Sequence, residues 1–502
     1  MNLFELYPVS ITNSLSGRKE LFIPINPPFV GLYSCGPTVY NEVHLGNLRT
    51  FTAFDVVFRY LTHIGYKVRY VRNITDAGHL TNDAGEGVDR IEERAKLERL
   101  EPMEVVQKYT YGFHEVCRIF NILPPSVEPT ATGHIVEQIE MVKKILDNGF
   151  AYEKNGSVYF DVRKFMEKHK YGELSGRNID DLLEGTRELD AQEEKKNSVD
   201  FAIWKAVTPS HIQRWPSPWG DGIPGWHLEC SAMGTKYLGK EFDIHGGGMD
   251  LKFPHHECEI AQSVGAYGKA PVRYWMHSNM LTVNGEKMSK SKGNSFLPRE
   301  LFAGEHPLLD KAYSPMSVRF FMLQSHYSST LDFSNEALGA AEKGYRKLSA
   351  ALASIKGMVY PTAAVTNQEL KDEIIRLTAD CYRTMSDDFN TAKTLAVLFE
   401  MASRINDFKS GNVSIGSVDA LTFEKLKATF VGMMEDVLGL VEDKTTNNDL
   451  LEGTINVLIE LRKKVRADRN YALSDKIRDD LQAIGVQLKD GKGGEISYTI
   501  EL

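Results

Sequence analysis

Two hydrophobic periods alternate along the first third of the chain. Phe29 to Ser34 is a compact apolar run that predicts a buried strand. After His44, the residues Leu45, Leu48, Phe51, Thr52, Asp55, Val56 and Phe58 recur at helical spacing until Gly65 stops the run. Val68 to Ile74 reads as a second strand. That order, strand, helix, strand, predicts a parallel sheet with ligand contacts at the carboxyl ends of its strands. Glu86 to Glu101 is rich in charge and predicts an exposed helix, or an insertion, capped by Pro102. Between Pro124 and Pro218 the texture changes. A helix over 133–147 precedes a hairpin pattern over 151–160 that turns on Asn155-Gly156. The stretch 180–196 has too few apolar residues to pack and is expected to be mobile. Sheet-and-helix patterning resumes from Gly225 to about Gly265, so an insertion splits an α/β fold. Beyond Pro315 the pattern is helical, with helices expected over 335–355, 368–385 and 391–408. Pro361 and the stretch 445–448 mark linkers.

Composition changes this picture little. A chain of 502 residues exceeds one core and implies three or more domains. Hydrophobic content of 42% and charged content of 25% are ordinary for a globular protein. No apolar run approaches the roughly 20 residues needed to span a bilayer, and Met1 to Ser10 lacks the pattern of a secretory signal. Five scattered cysteines, an odd number, do not make a disulfide framework and fit a reducing cytoplasm. The net charge of −9 argues against general affinity for nucleic acid but leaves local basic patches open.

Chemistry concentrates in two distant segments. His44-Leu45-Gly46-Asn47 opens the first helix, where exposed N–H groups and a glycine suit phosphate oxygens. Lys287-Met288-Ser289-Lys290-Ser291 follows the turn Asn284-Gly285 after the strand-like run Met276 to Val283. Its two ammonium groups could neutralise a departing pyrophosphate. A possible metal set lies elsewhere. Cys35 ends a strand, Cys230 falls in a helix-like run from Trp226 to Leu238, and His255 and Glu259 share one helix face after Pro254. Two thiolates, an imidazole and a carboxylate can hold zinc, although buried free cysteines and exposed His/Glu pairs are equally ordinary outcomes of such spacing. Cys258 competes with Glu259 for the fourth place, and His256 points off the shared face. Near the C-terminus, Arg462, Lys463, Lys464, Arg466 and Arg469 place five basic residues on an expected helix, either an RNA-binding face or a solvated one.

The two segments resemble the signature motifs of class I aminoacyl-tRNA synthetases, and the surrounding text resembles the cysteinyl-tRNA synthetase family. The matching stretches are Tyr33-Ser34-Cys35-Gly36-Pro37-Thr38-Val39-Tyr40, Tyr70-Val71-Arg72-Asn73-Ile74-Thr75-Asp76 and Gly225-Trp226-His227-Leu228-Glu229-Cys230-Ser231-Ala232-Met233. Phe242-Asp243-Ile244-His245-Gly246-Gly247-Gly248 and Pro254-His255-His256-Glu257-Cys258-Glu259-Ile260-Ala261-Gln262 complete the set. One departure is Asn47, where the family's first motif usually carries a second histidine.

The resemblance implies an α/β fold: a split Rossmann-like parallel-sheet catalytic domain with an inserted connective domain, then an α-helical bundle and a small C-terminal anticodon-binding domain. The expected boundaries are 1–123 and 219–275 for the catalytic halves, 124–218 for the insertion and 276–333 for the lysine-loop and stem-contact region. The bundle is expected over 334–440 and the anticodon-binding region over 441–502. It implies a cysteine–tRNA ligase that forms cysteinyl-adenylate from ATP and passes cysteine to tRNA(Cys). His44, Lys287 and Lys290 would be catalytic. Gly46, Asn47, Gly246, Gly247, Gly248, Asp250 and Ser289 would join them around ATP, the triple glycine as open backbone for adenine. Gly36, Thr75 and Trp226 would line the cysteine pocket. Cys35, Cys230, His255 and Glu259 match the family's zinc ligands, one zinc per chain, and Mg2+ is expected with ATP. The partners are then tRNA(Cys), ATP and L-cysteine, in a cytoplasmic monomer without a membrane. Two alternatives stay open: a paralogous cysteine:amino-sugar ligase, and a non-catalytic zinc-containing RNA-binding protein.

Overall fold

A computed structural model describes residues 2–77, 80–82, 86–177, 195–289, 292–361, 367–443, 446–490 and 496–500. The chain divides into two compact units, Met1–Val441 and Glu442–Leu502. The first unit begins its main sheet with β1 (Phe29–Ser34), α1 (Leu45–His63) and β2 (Lys67–Arg72). The insertion contributes α2 (Ile135–Asp147) and strands β3 (Ala151–Lys154), β4 (Ser157–Phe160), β5 (Phe201–Ala206) and β6 (Gly222–Pro224). The chain then returns through α3 (Trp226–Leu238), β7 (Phe242–Gly248), α4 (His255–Tyr267) and β8 (Val272–Ser278). These strands form one parallel sheet in the order β8–β7–β1–β2. From the central pair, β1 leads outward to β2 and β7 leads outward to β8. The order therefore reverses between β1 and β7, the crevice where open α/β sheets bind ligands.

Local chemistry explains the elements. The His44 side chain accepts from the Asn47 backbone N–H while Asn47 accepts from the His44 N–H, a reciprocal cap that starts α1. In the β3–β4 hairpin, Asn155 at φ 54° and Gly156 at φ 77° supply the two left-handed positions of its tight turn. The insertion's sheet runs β6–β5–β4–β3, antiparallel throughout. Its apolar face (Val158, Phe160, Ile203 and Trp204) shares a core with Ile145 of α2, Leu228 of α3 and Ala261 of α4. Helices α3 and α4 thus lie between the insertion and the catalytic sheet, and α4 buries every residue from His255 to Glu259.

Some expectations are corrected. The predicted run Met276 to Val283 is two strands, β8 and then β9 (Leu281–Val283), because at Asn279 the backbone N–H turns to the Tyr327 carbonyl. The expected exposed helix over 86–101 is a helix only at Arg90–Glu98, and it buries Ile91, Glu92 and Ala95. The helix over 133–147 begins with a 3₁₀ turn, Thr132–His134. Most of the stretch 180–196 lies outside the described residues.

Beyond β9, the short β10 (Glu286–Lys287) pairs with β9, which also runs parallel to β11 (Leu331–Phe333). Helices α5 (Pro315–Leu323), α6 (Asn335–Gly357), α7 (Gln368–Ser386), α8 (Thr391–Ser410) and α9 (Ala420–Val431) follow, and a π-helical segment, Gly432–Val437, continues α9. α5 is buried from Met316 to Leu323, whereas α6 shows one apolar stripe, Leu338, Ala341, Tyr345, Leu348, Leu352 and Ile355. This helical part is tied to α1 by buried charge. Asp55 accepts from Arg59 Nε at 2.8 Å and also pairs with the fully buried Arg319. Arg319 donates to the carbonyls of Leu438 and Phe120 at 2.8 and 2.9 Å.

The second unit contains α10 (Thr446–Ala467), α11 (Tyr471–Ala483) and the antiparallel pair β12 (Val486–Asp490) and β13 (Ile496–Ile500). Ile455, Ile459, Leu481 and Val486 form its small core. Arg462 falls on the Ile455/Ile459 stripe and is 2% exposed, so it does not belong to an RNA-facing surface. Lys464, Arg466 and Arg469 are exposed and Lys463 is half-buried. Among the described residues no helix is long and apolar enough to cross a membrane.

Removing one partner of a buried ion network leaves an uncompensated charge and costs about 3–5 kcal/mol. Asp55→Ala, which strands Arg59 and Arg319 together, should lower stability by about that amount in urea titrations. A loss of a few tenths would contradict the network's role.

Candidate metal and nucleotide site

The crevice between β1 and β7 collects the predicted metal set. Cys35 follows the last residue of β1, and its N–H donates to the Gly246 carbonyl at 3.1 Å. Cys230 comes from α3, and His255 and Glu259 come from one face of α4. Cys35 Sγ lies 3.7 Å from Cys230 Sγ and 4.0 Å from Glu259 Oε1, while His255 Nε2 lies 3.1 Å from Glu259 Oε1. The four ligand atoms all fall within 4.8 Å of one another, and all four residues are buried. His255 Nε2 makes no well-formed hydrogen bond, whereas its Nδ1 is held 3.0 Å from His227 Nδ1. A buried imidazole oriented from behind, with its other nitrogen aimed at two sulfurs and a carboxylate, fits a metal ligand.

Electrostatics agree with that fit. Burial and the neighbouring Cys230 push the Cys35 thiol well above its usual range. Burial also opposes ionisation of Cys230, but the Cys35 hydrogen bond and His255 outweigh it and bring Cys230 down to about 6. Burial likewise opposes charge on His255, which Cys230 and Glu259 nevertheless raise to about 10. Glu259 is held at about 2, against burial, by His245 and His255. The surroundings thus favour the ionised forms of Cys230 and Glu259, the forms that bind a cation.

Two histidines extend the cluster beyond what the spacing suggested. His256 Nε2 is 3.3 Å from Cys35 Sγ, and His245 Nε2 is 2.9 Å from Glu259 Oε2. Cys35, His245, His256 and Glu259 form a second group that meets the same ligand spacing. His256 therefore does reach the cluster, because its ring turns toward β1 although its Cα sits off the His255/Glu259 face. Cys258 does not; it faces the insertion, 3.5 Å from the Tyr171 hydroxyl.

The residues expected to line a cysteine pocket border the cluster. The Trp226 ring lies 4.5 Å from the His255 ring, centroid to centroid. Thr75 donates to Glu229 Oε2 at 2.8 Å, and the Gly36 N–H donates to Asn73 Oδ1 at 3.0 Å. Glu229 and Asn73 went unassigned in the sequence; a polar pair beside Cys230 and Thr75 was the only signal.

The two segments expected to hold phosphate also meet. A Cβ at Gly46 would stand 3.0 Å from Met288 Cε, and the Leu45 N–H donates to the Phe296 carbonyl at 3.1 Å. Lys287 is exposed on β10, and the Ser289 N–H is fixed by Asn294 Oδ1 at 2.8 Å. Lys290 lies outside the described residues. The triple glycine is not open backbone as expected. Gly246, Gly247 and Gly248 are the last ladder residues of β7, paired with Met276, His277 and Ser278 of β8. Glycine is needed there for packing, since a Cβ at Gly246 would come 2.3 Å from Phe54 of α1 and from the Met276 carbonyl. Asp250 follows on an exposed 3₁₀ turn.

Comparison with known proteins decides the family. Residues 21–343 match the tRNA synthetases class I (C) catalytic domain, and residues 381–442 match the DALR domain. The chain is 54% identical to the cysteine–tRNA ligase of Bacteroides thetaiotaomicron, over 97% of this chain and 98% of that one. The chain belongs to the cysteine–tRNA ligase family. As a cysteine–tRNA ligase it is an aminoacyl-tRNA synthetase that charges tRNA with cysteine. The Porphyromonas gingivalis relative is 53% identical over the same shares, and that of Deinococcus radiodurans 44% over 97% and 96%. Among solved structures, the methionyl-tRNA synthetase of Mycobacterium tuberculosis, crystallised with methionyl-adenylate, superposes with a TM-score of 0.56. It covers 82% of this ligase and 89% of itself at 13% identity, a likeness of fold.

Gly36 offers a direct test of the pocket's construction. A Cβ there would stand 1.5 Å from the Asn73 carbonyl oxygen, with no flexible side chain to yield. Gly36→Ala should displace the Asn73–Thr75 segment and lower kcat/KM for cysteine by about a hundredfold, the cost of an ångström-scale misplacement. Wild-type kinetics would show that Gly36 does not define the pocket.

Proposed function

We propose that this ligase activates L-cysteine with ATP to cysteinyl-adenylate and selects its substrate with one zinc ion held by Cys35, Cys230, His255 and Glu259. The observation that carries this reading is the buried four-residue cluster beside Thr75 and Trp226, its four ligand atoms within 4.8 Å of one another. Bound there, zinc supplies a soft Lewis acid that favours a thiolate, which an alcohol cannot match. The need is quantitative. Cysteine and serine differ by sulfur against oxygen, and pocket shape separates near-isosteres by about a hundredfold, whereas translation requires about ten-thousandfold, roughly 5.5 kcal/mol.

The protein's own residues supply orientation and charge. Gly36, Thr75 and Trp226 hold the amino acid so that its carboxylate faces the α-phosphorus of ATP. The carboxylate oxygen forms a bond to that phosphorus as the bond to the pyrophosphate oxygen breaks. The attacking group is already an anion, so no general base is needed. His44 and the Gly46 N–H in the first turn of α1 receive phosphate oxygens. The Asn47 carbonyl oxygen is occupied by the His44 N–H, so its NH2 group is what remains to offer phosphate. Lys287 and Lys290 neutralise the departing pyrophosphate, with the Ser289 segment holding the loop. Mg2+ accompanies the nucleotide. Gly246 to Gly248 and Asp250 border the nucleoside, the glycines by close strand packing and Asp250 as a carboxylate for ribose hydroxyls.

A 3′-terminal ribose hydroxyl of tRNA(Cys) then takes the cysteinyl group and releases AMP. The helical bundle and the C-terminal unit are the anticodon side. Lys463, Lys464, Arg466 and Arg469 would meet phosphates there, and Arg462 would support the core beneath them. We infer a cytoplasmic enzyme that acts as a monomer, as the family resemblance implies.

One set of measurements tests this. The wild-type protein should carry one zinc per chain by atomic absorption, catalyse cysteine-dependent ATP–pyrophosphate exchange, and load cysteine onto tRNA rather than onto an amino sugar. Cys230→Ser should lose zinc and cysteine affinity together. Full zinc in that variant removes Cys230 from the ligand set, and exchange without transfer to tRNA removes the charging step.

A further inference from the structure

Arg49 stands five residues beyond His44 on α1 and is 3% exposed. Among the described residues its guanidinium donates to backbone carbonyls. Nε donates to Asn279 at 3.2 Å, Nη1 to Met322 at 3.4 Å, and Nη2 to His326 at 3.1 Å and Ser329 at 2.6 Å. Burial alone lowers it to about 10, with no neighbouring charge acting on it. The contrast lies on the same helix, where Asp55 pairs with both Arg59 and Arg319. A buried cation without an acid is costly. Four directional donors aimed at three remote segments are what that cost supports, and a lysine ammonium cannot reproduce a planar fork.

The four carbonyls mark a joint. Asn279 is the residue at which the chain leaves β8 for β9 and β10, the pair that carries Lys287. Its N–H donates to the Tyr327 carbonyl at 2.8 Å and its Nδ2 to the Ser328 carbonyl at 3.0 Å. The Leu331 N–H donates in turn to the Met280 carbonyl at 3.2 Å. The segment 326–329 is also gripped from its other side. The Tyr327 hydroxyl donates to Asp388 Oδ1 at 2.8 Å, and His326 Nε2 lies 2.9 Å from the Asp388 carbonyl. Asp388 and Phe389 adopt left-handed φ values of 64° and 53°, which non-glycine residues hold only where their surroundings compel it. Asp388 lies in the stretch that matches the DALR domain. One loop therefore touches the phosphate-motif helix, the root of the lysine hairpin and the helical bundle.

We propose that Arg49 is a positioning residue for cysteine activation: its guanidinium fixes the start of α1 against the root of the lysine hairpin, so that His44 and Lys287 converge on one nucleotide. This rests on the reading above that the two motifs share ATP. Arg49 touches no reacting atom. It sets the distance between two groups that do, and the Asp388 corner ties that distance to the bundle.

The test uses full-length, zinc-loaded Arg49→Lys and Asn279→Ala. Rapid quench of ATP and cysteine with enzyme gives the amplitude of adenylate formation, which counts competent sites, and separately the rate per site. Arg49→Lys should keep zinc and amplitude but slow that rate by about a hundredfold, with KM for cysteine changed less than about twofold. Asn279→Ala should slow it by about tenfold, and the double variant should fall short of the product of the two, as residues of one joint do. A lower melting temperature with an unchanged rate per site would make Arg49 structural only and overturn the proposal. Should Arg49→Lys fail to fold, Asn279→Ala, which strands no charge, decides alone, and a wild-type rate overturns the proposal. Absence of adenylate in the wild type would instead refute the shared-ATP reading.

Discussion

The parallel pairing of β1 with β7 is the constraint on which the site depends. Ile244, His245 and Gly246 lie opposite Leu32, Tyr33 and Ser34, and the ladder ends where the Cys35 N–H meets the Gly246 carbonyl. These strands belong to halves of the sheet separated by the whole insertion. A slip of one residue would turn every side chain of β7 to the opposite face, taking His245 away from Glu259. Val30, Leu32, Phe242 and Ile244 are buried, so such a slip would also disrupt the packing of the core. Register thus does for this site what a short loop does in simpler ones: it fixes Cys35 relative to ligands that arrive two hundred residues later in the sequence.

With register set, the helices need only present their inner faces. The His255/Glu259 face of α4 points at the crevice because the rest of the helix packs on α2, α3 and the insertion. The insertion is therefore part of what aims the ligands, although it lies on the far side of them. The arrangement gathers charge that water would ordinarily disperse, which is destabilising in isolation. Its persistence is understandable if a cation and a substrate complete it.

Much of this was legible in the sequence. The period change after Ser34, the helix opening at His44, the four-residue spacing of His255 and Glu259 and the Asn155-Gly156 turn each express local rules that tertiary contacts left intact. What stayed hidden depended on contacts distant in sequence. His256 looked excluded by helical geometry, yet a ring swings several ångströms about its Cβ. The triple glycine was expected to be open backbone, but it ends the β7 ladder, and at Gly246 Phe54 from α1 fills the space a side chain would occupy. Arg462 looked like part of a basic surface because five charges outweighed the apolar stripe that buries one of them. Arg49 gave no signal at all, since carbonyl acceptors leave no mark in a sequence.

X-ray absorption at the zinc edge, recorded on the purified enzyme before and after adding cysteine, bears most directly on the central claim. The account predicts two sulfur neighbours at about 2.3 Å in the free enzyme and a third when cysteine, but not serine, is present. A spectrum without zinc, or with a sulfur count that cysteine leaves unchanged, would contradict it.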